Sequence, residues 1–412
     1  MGKYANIQKM IAATESSWRE AADRGLMHIR TRKTETSELA SAGHRFVNMV
    51  SCSYLGLNRH PRILRGAIEA IEREGVLNHS VSRVRIAPAL LDEAEAALAE
   101  VFECEALLAP SCFHASATAL PLYASGHLTG GEKPVLVFDK QCHFSMNIMK
   151  AVCGDETEVL TVAHNDVDAI EDACKQHRAV VYVCDGAYST GGAAPVDELL
   201  RLQERYGLYL YVDDSHSVSA FGRKGQGLFR SRLDRLGDRT VIAASLAKSF
   251  GALGGVLLVG TRRQRELVDY SAGPMGWSQM MSVPGMGAAK ATAELHLGDE
   301  IAGLQERMRA NMEYFDALVP TPYAGNGLPI RVVEIGAAEH AIEVSERVYR
   351  RGFYTSAVFF PIVARGRAGL RIMGRADMER EDMRRFSEVV ASCAEEVRAR
   401  PPAPDQRVAA TA

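Results

Sequence analysis

Three short segments of the sequence carry residues that could do chemistry together. Asp213 and His216 close an apolar run, and a carboxylate held there could pair with a cationic ring nitrogen. Lys248 lies in the turn Ala244–Gly251, where partial burial would make its amine a candidate for Schiff-base formation. The segment Ser111–Ser116 opens a helical pattern, and the free N–H groups of a helix N-terminus can hold a phosphate.

Each segment also has an ordinary structural alternative. The aspartate could cap a helix, the lysine could extend its amine from the surface into solvent, and the serine could be a simple N-cap. Taken in chain order, however, the three supply a phosphate cradle, a carboxylate for a ring nitrogen and a lysine. This combination predicts a site for pyridoxal 5′-phosphate.

The elements that must position these residues alternate between short apolar runs and amphipathic stretches. The runs are Val135–Asp139, Val180–Cys184, Leu208–Asp213, Val241–Ala244 and Val256–Val259. Because they are nearly unbroken and rich in β-branched residues, they are typical of strands buried on both faces of a parallel sheet. Strands that alternate with helices predict an α/β fold class, with a mostly parallel central sheet and ligands at the carboxyl ends of its strands.

The chain divides into four predicted segments. They are an N-terminal helical segment, a large α/β domain, a smaller C-terminal α+β domain and a disordered tail, at residues 1–45, 46–300, 301–400 and 401–412. Within the first segment, Thr31–Ser41 is predicted to be a loop. Leu328–Gly336 and Gly352–Ile372 look like strands of the smaller domain.

Composition excludes several classes of protein. The 412 residues include 48 Lys and Arg against 51 Asp and Glu, so no basic excess favours nucleic acid as a partner. Eight cysteines without a C-x-x-C pair argue against structural zinc and a secreted disulfide framework. No apolar run reaches the roughly 18 residues of a membrane span, and the first residues lack the apolar core of a signal peptide. We therefore expect a cytoplasmic protein without a membrane span.

Motifs of other enzyme classes are missing. Gly126–Gly131 is followed by Glu132 rather than by the lysine that a phosphate-binding P-loop needs, and no G-x-G-x-x-G follows a strand. The sequence has no H-E-x-x-H and no G-x-S-x-G nucleophile elbow. Its twelve histidines do not cluster at ligand spacing, so no metal site is expected.

The chain resembles the α-oxoamine synthases, fold-type I pyridoxal phosphate enzymes that condense an amino acid with an acyl-thioester. The resemblance covers about residues 46–380, and its motifs follow in family order: Tyr54–Leu57, Ser82–Arg83, Asp139–His143, Asp185–Ser189, Asp213–His216, Ser245–Lys248 and Leu370–Arg371. The motif forms are most similar to those of aminoketone autoinducer synthases and serine palmitoyltransferases, and 8-amino-7-oxononanoate synthase is another member. The resemblance implies the fold of a fold-type I transferase, pyridoxal phosphate as cofactor, and a homodimer with active sites at its interface.

The same resemblance implies a role for matching residues at the cofactor. Lys248 would bind the cofactor covalently and later remove the Cα proton of the amino acid. Asp213 would keep the pyridine nitrogen protonated, and His143 would stack on the ring. His216 and Ser189 would hydrogen-bond the 3′ oxygen of the cofactor.

Further residues are implied to hold the cofactor by the same match. The backbone near Cys112 and Phe113, with the hydroxyl of Ser245, would bind the phosphate. Ser282 would reach the phosphate of the other subunit, and Asp185 stands where the synthases of primary metabolism usually have glutamate.

Substrate residues follow from the resemblance and from departures from it. Arg371 would pair bidentately with the carboxylate of the amino acid, and Cys52, His79 and Arg83 would contribute to the substrate pocket. Cys52 replaces a family asparagine, and Leu77–Val81 replaces a Gly-rich run. These differences suggest biosynthesis of a specialised metabolite or a signal rather than of biotin or haem.

The implied reaction is a decarboxylative condensation of an amino acid with an acyl-thioester, which gives an α-aminoketone and makes the enzyme an acyltransferase. The acyl group could be carried by coenzyme A or by an acyl carrier protein. Two alternatives remain: an aminotransferase or lyase of the same fold, and a non-catalytic partner subunit, against which the presence of Lys248 argues. The amino acid and the acyl chain length are left open.

Overall fold

The computed structural model describes residues 7–34, 38–271 and 273–399. The α-helices are α1 Ile7–Asp23, α2 Pro61–Glu74, α3 Ala89–Phe102, α4 Cys112–Ala124, α5 Phe144–Asn147, α6 Lys150–Glu156, α7 Val167–Gln176, α8 Val196–Tyr206, α9 Arg262–Ser271, α10 Val283–His296, α11 Glu300–Leu318, α12 Ala338–Arg350 and α13 Arg380–Arg398. The strands are β1 Arg32–Lys33, β2 Leu39–Ser41, β3 His44–Asn48, β4 Glu105–Ala109, β5 Val135–Asp139, β6 Val159–Val162, β7 Val180–Asp185, β8 Tyr209–Asp213, β9 Thr240–Ser245, β10 Gly255–Val259, β11 Ile330–Gly336, β12 Phe353–Tyr354, β13 Ser356–Val358 and β14 Ala368–Met373.

The central sheet has seven strands in the order β4-β10-β9-β8-β7-β5-β6. Strands β5 to β9 pair in parallel, whereas β10 runs antiparallel to both β9 and β4. The five predicted apolar runs are β5, β7, β8, β9 and β10, and the prediction of a mostly parallel sheet is confirmed. The two strands that sequence analysis missed, β4 and β6, are the edges of the sheet. Strand β4 is buried at four of its five positions but has no β-branched residue, and β6 is buried only at Val159.

Each face of this sheet carries its own apolar core. Along β7, Val181 and Val183 pack into one core, and Tyr182 and Cys184 pack into the other. Helices α3, α7, α8 and α10 cover the second face, and α4, α6 and α9 cover the first. A strand buried on both faces needs apolar residues at every position, which explains the unbroken runs in the sequence.

The N-terminal residues pack against the C-terminal part of the chain. Strand β3 pairs in parallel with β12, so that Val47 lies opposite Phe353, and β1 and β2 extend the same sheet. The predicted loop Thr31–Ser41 is thus wrong in part, because it contains β1 and β2. Strands of two or three residues give no periodic signal in a sequence. The predicted tail 401–412 lies outside the described residues.

A smaller antiparallel sheet, β11-β14-β13, is covered by α11, α12 and α13. Helix α11 contributes to two cores, since Leu304 and Met308 belong to the core of the central sheet and Met312 and Phe315 to that of the small sheet. The division into two domains at residue 300 stays a prediction. A single helix that serves both cores fixes the small sheet relative to the large one.

Helices α2 and α10 cross in unusually close contact at two glycines. A Cβ added to Gly287 would lie 2.3 Å from the backbone oxygen of Gly66, and one added to Gly66 would lie 2.6 Å from Cβ of Ala291. Both distances are too short for any side chain without movement of the helices. Glycine is therefore required at this crossing for packing rather than for backbone conformation.

The substitution Gly287→Ala should destabilise the protein by about 1–3 kcal/mol, because the added methyl group forces α2 and α10 apart. Chemical denaturation would measure the change in the free energy of unfolding. The matched control is Gly303→Ala, in the first turn of α11, where an added Cβ meets no atom within 4 Å. It should stabilise the protein by about 0.5–1 kcal/mol. Equal effects of the two variants would contradict the packing explanation.

Candidate active site

The carboxyl ends of the central strands meet at one edge of the sheet. The parallel register pairs Asp185 with Asp213, which are the last residues of β7 and β8, and β9 ends beside them at Ser245. The N-terminus of α4 reaches the same edge, because a Cβ on Gly255 would lie only 2.4 Å from the backbone nitrogen of Cys112. The close approach of β10 to α4 therefore requires a glycine at this position.

Asp213 is buried at the centre of this edge, with 4% of its surface exposed. Its Oδ1 accepts a hydrogen bond of 3.1 Å from the backbone N–H of Ser215, and the thiol of Cys112 lies 3.4 Å from Oδ2. Burial and the carboxylate of Asp213 raise the pKa of Cys112 well above its usual value. The thiol therefore stays protonated and can donate to the carboxylate.

Lys248 and His216 are in direct contact. Nζ of Lys248 lies 2.9 Å from Nε2 of His216, and the hydroxyl oxygen of Tyr54 lies 2.6 Å from Nδ1 of the same ring. Burial, followed by the positive charges of Lys248 and Arg371, lowers the pKa of His216 well below its usual value. The imidazole is thus neutral near pH 7.

Asp185 joins the strand ends to the loop that carries His143. Its Oδ2 accepts a hydrogen bond of 2.8 Å from the backbone N–H of His143. Burial and the neighbouring Asp213 raise the pKa of Asp185 well above its usual range. The imidazole of His143 bonds Ser145 through Nδ1 at 2.9 Å, and His143 is exposed at the open side of the site.

Asp139 holds the start of the same loop. It accepts hydrogen bonds from the backbone N–H of Gln141 at 2.7 Å and from the hydroxyl of Tyr182 at 2.8 Å. His164 and the backbone N–H of Asn165 bind the same carboxylate. Burial opposes its ionisation, but these hydrogen bonds lower the pKa of Asp139 below its usual value. An ionised, fully paired Asp139 is thus a fixed support for the loop that carries His143.

The residues predicted to hold a phosphate lie around the start of α4. The hydroxyl of Ser111 accepts a hydrogen bond of 3.3 Å from the backbone N–H of His114 and caps the helix. The backbone N–H of Ser245 donates to the hydroxyl of Ser215 at 2.7 Å. The hydroxyl of Ser245 accepts a hydrogen bond from the backbone N–H of Ala247, and this bond is exposed. Phe113 follows Cys112 and is exposed.

Arg371 extends from the small sheet, on β14, to the strand-end site. Its Nη1 donates to the backbone oxygen of Ser189 at 3.4 Å. Its Nε is buried and has no hydrogen-bond partner within the described part of the chain. A buried guanidinium nitrogen without an acceptor is costly unless a ligand supplies one.

The remaining predicted residues lie at different distances from this group. Cys52 lies beside Tyr54, and burial together with Cys52 raises the pKa of that tyrosine well above 10. His79 is paired with Glu74 at 3.3 Å, and Ser282 is the N-cap of α10. Among the contacts of the described residues, none joins His79 or Ser282 to Lys248.

The structure places Arg83 among buried ion pairs. Its guanidinium is 6% exposed and forms ion pairs with Glu95 at 2.8 Å and Asp269 at 3.1 Å. Glu95 also pairs with Arg265 and accepts from the backbone N–H of Leu108 at 2.7 Å. Through these contacts and a hydrogen bond to the backbone oxygen of Leu108, Arg83 supports strand β4, and its role in the substrate pocket stays a prediction.

Sequence analysis assigned no role to Tyr54 or Glu95. Tyr54 belongs to the motif Tyr54–Leu57, but its contact with His216 depends on the fold. Glu95 did leave a signal, because it follows Leu91 and precedes Leu98 at helical spacing on the apolar face of α3. A carboxylate at such a position indicates a buried ion pair.

Comparison with known proteins identifies the family. Residues 45–390 match the family model described as aminotransferase class I and II. The chain belongs to this family. Its curated relatives include 8-amino-7-oxononanoate synthases, among them that of Alkaliphilus metalliredigens, 26% identical over 375 residues that cover 88% of this chain and 91% of the relative. That of Symbiobacterium thermophilum is 28% identical over 351 residues, which cover 83% of this chain and 86% of the relative.

Solved structures of the family share the fold of this member. Serine palmitoyltransferase from S. paucimobilis, with a bound PLP–myriocin aldimine, superposes with a TM-score of 0.83 at 18% identity, covering 95% of this chain and 99% of that one. For 8-amino-7-oxononanoate synthase from Francisella tularensis the TM-score is 0.66 at 17% identity, covering 86% and 98%. The predicted fold class and the predicted resemblance to α-oxoamine synthases are confirmed.

The described residues of this family member contain no group of three or more His, Cys, Asp or Glu side chains placed to bind a metal ion. In the same residues, no helix is long and apolar enough to cross a membrane. The cytoplasmic location stays a prediction.

The substitution Arg83→Ala should lower the free energy of unfolding by about 3–5 kcal/mol, since it leaves the buried Glu95 without one of its cationic partners. Thermal or chemical denaturation would measure this loss. The control Arg85→Ala removes an exposed arginine that lies over the ring of Trp277 at 5.6 Å, and should cost at most about 1 kcal/mol. An Arg83→Ala variant of unchanged stability that binds the amino acid more weakly would instead support the predicted substrate role.

Proposed function

We propose that this protein is a pyridoxal phosphate-dependent acyltransferase that condenses an amino acid with an acyl-thioester and releases CO₂ and an α-aminoketone. The predicted cofactor and class of enzyme are confirmed by the family match and by relatives that are synthases of this type. The observation that carries the proposal is the grouping of Lys248, His216, Asp213 and Arg371 at one edge of the sheet.

The residues at this edge fit the parts of the cofactor. Asp213 is a buried carboxylate that can pair with a protonated pyridine nitrogen, and Lys248 can bind the aldehyde carbon. The N-terminus of α4, where the missing side chain of Gly255 leaves space beside the backbone nitrogen of Cys112, offers backbone N–H groups to a phosphate. His143 leaves its exposed ring available for stacking.

Bound pyridoxal phosphate would supply an electron sink that stabilises negative charge on Cα of the amino acid. Lys248 would take the Cα proton and later return a proton to the same carbon. His216 is neutral and can hydrogen-bond an oxygen or an amine without adding charge. Asp213 would hold a proton on the ring nitrogen through its carboxylate.

Arg371 would orient the amino acid. Its buried Nε lacks a partner, and with Nη it could form a bidentate pair with the substrate carboxylate.

In the proposed reaction a bond forms between Cα and the acyl carbon, the acyl carbon–sulfur bond breaks, and the carboxylate leaves as CO₂. One proton leaves Cα and one returns to it after CO₂ has left, and the thiolate takes a further proton, so the overall reaction consumes one proton from solvent.

Departures from the family pattern support a specialised-metabolite or signal product. Cys52 lies beside Tyr54 at the edge of the site, where many relatives of this type have asparagine. Asp185 is shorter than the usual glutamate by one methylene group. Cys52 exchanges an amide for a thiol beside Tyr54, and Asp185 shortens a carboxylate that supports His143, so we propose a substrate pair different from that of 8-amino-7-oxononanoate synthase.

The test of the proposed function is product analysis with a panel of amino acids and acyl-thioesters, presented on coenzyme A and on acyl carrier protein. One pair should give equimolar CO₂, free thiol and an α-aminoketone. A keto acid with pyridoxamine phosphate left on the protein would establish an aminotransferase instead. Best turnover with the substrates of 8-amino-7-oxononanoate synthase would contradict the specialised role.

The substitution Lys248→Ala should reduce the condensation rate by at least about 10³-fold, because the proton acceptor and the covalent attachment are both lost. Borohydride reduction followed by mass spectrometry should find the cofactor attached to Lys248 in the wild-type protein and no attachment in the variant. Lys175→Ala changes an exposed lysine of α7 and serves as the control. Full activity of Lys248→Ala would refute its assignment.

We also propose that the protein is a homodimer whose interface covers the open side of the site. Large apolar side chains are exposed next to site residues: Phe113 at 41%, Phe144 at 54% and Leu253 at 50%. Each is adjacent in sequence to a residue of the site or of its glycine turn, which supports an interface at the mouth of the site. A second copy would bury this patch and could bring Ser282 to the phosphate.

The substitution Phe144→Asp should shift the dimer towards monomer, since a charge in an apolar interface must be desolvated. Sedimentation analysis would measure the dissociation constant, and cofactor retention should fall with it. Ile11→Asp, on α1, changes an apolar residue of 50% exposure and is the control. A wild-type protein that is monomeric and fully active would exclude this arrangement.

A further inference from the structure

His216 lies between two residues from separate parts of the chain. Nε2 is 2.9 Å from Nζ of Lys248, and Nδ1 is 2.6 Å from the hydroxyl oxygen of Tyr54. Tyr54 is fully buried in the turn after β3, and His216 is 4% exposed in the turn after β8. The ring is held at both nitrogens, so its proton arrangement depends on both neighbours.

A neutral imidazole has one N–H, so one nitrogen donates and the other accepts. Burial and the charges of Lys248 and Arg371 keep His216 neutral by lowering its pKa. Its tautomer is therefore decided by its hydrogen-bond partners.

The charge state of Lys248 limits which tautomers of His216 can pair with it. An ammonium group only donates, so Nε2 must accept and the ring proton must be on Nδ1. A neutral amine can donate to Nε2 or accept from Nε2–H, so it can pair with either tautomer. A neighbour of Nδ1 that could only donate would exclude the ammonium state, and one that could only accept would exclude the Nε2–H tautomer.

Tyr54 can match both states, because a hydroxyl both donates and accepts. It donates to Nδ1 when Nε2 carries the proton. When Nδ1 carries the proton, the phenolic oxygen accepts, and its own hydrogen can turn to Sδ of Met373 at 3.6 Å. Burial and Cys52 raise the pKa of Tyr54, so the hydroxyl keeps its proton throughout.

We propose that Tyr54 is a positioning residue that lets His216 pair with Lys248 in either charge state. Between the two states one proton leaves the Lys248–His216 pair for solvent, while the ring and Tyr54 keep one proton each. The inference rests on the proposed function only for the identity of Lys248 as the reacting amine. It adds a means by which that amine can change charge without placing a charge on the buried ring.

The test is the titration of Lys248 in the full-length, cofactor-free protein, measured by competitive acetylation across pH and peptide mass spectrometry. Tyr54→Phe should lower the apparent pKa of Lys248 by about one unit. In this variant the ammonium state leaves Nδ1–H without an acceptor, and a buried unpaired N–H costs more than an unpaired lone pair. The other titratable or charged groups near the trio are unchanged: His143, Arg371, Asp213, Asp185, Cys112 and Cys52.

The matched control is Tyr123→Phe, which removes another fully buried hydroxyl, one that donates to the backbone oxygen of Leu210 at 3.3 Å. It should leave the titration of Lys248 unchanged. The double variant Tyr54→Phe, His216→Gln should show no shift beyond that of His216→Gln alone, because the effect of Tyr54 passes through the ring.

The proposal is overturned if Tyr54→Phe leaves the apparent pKa of Lys248 unchanged. It is also overturned if Tyr54→Phe shifts that pKa equally with and without His216. A second measurement does not depend on a variant: ¹⁵N shifts of His216 in the wild-type protein should place its proton on Nδ1 while Lys248 is an ammonium group, and a proton on Nε2 in that state also overturns the proposal. Failure to find an aminoketone product would instead refute the proposed function, while these titrations would remain interpretable.

Discussion

The parallel pairing of β7, β8 and β9 is the constraint on which the rest of the site depends. It aligns Asp185 with Asp213 and Asp213 with Ala243, so three strands end at one edge. These strands are buried on both faces, and a slip of one residue would exchange the side chains of the two cores. The register is therefore determined by packing, and the positions of the polar strand ends follow from it.

Burial then sets the protonation of the side chains at this edge. His216 is kept neutral, and the pKa values of Asp185 and Cys112 are raised. Asp213 receives hydrogen bonds from a backbone N–H and from the thiol of Cys112. The result is a site in which few groups carry charge, and each charged group faces a partner or an open position for a ligand.

The apolar runs of the central strands could be recognised in the sequence because burial on both faces removes polar residues from them. The edge strand β6 and the short strands β1 and β2 lack this signal because few of their residues are buried. Strand β4 is buried, but its five residues include no β-branched side chain. The antiparallel direction of β10 was also invisible, because direction depends on the path of the connecting chain and leaves no local pattern. Helices were easier to predict where one face is apolar and the other polar.

The sequence by itself determined which chemistry was available: Lys248, Asp213 and Arg371 have residue types and neighbours that few other functions require. Only the tertiary structure decided which side chains meet. Arg83 belongs to the motif Ser82–Arg83, and in the fold it pairs with Glu95 and Asp269 of the same chain. Tyr54 has no local feature that predicts contact with His216, because a hydrogen bond between distant segments is formed by the packing of the elements that carry them.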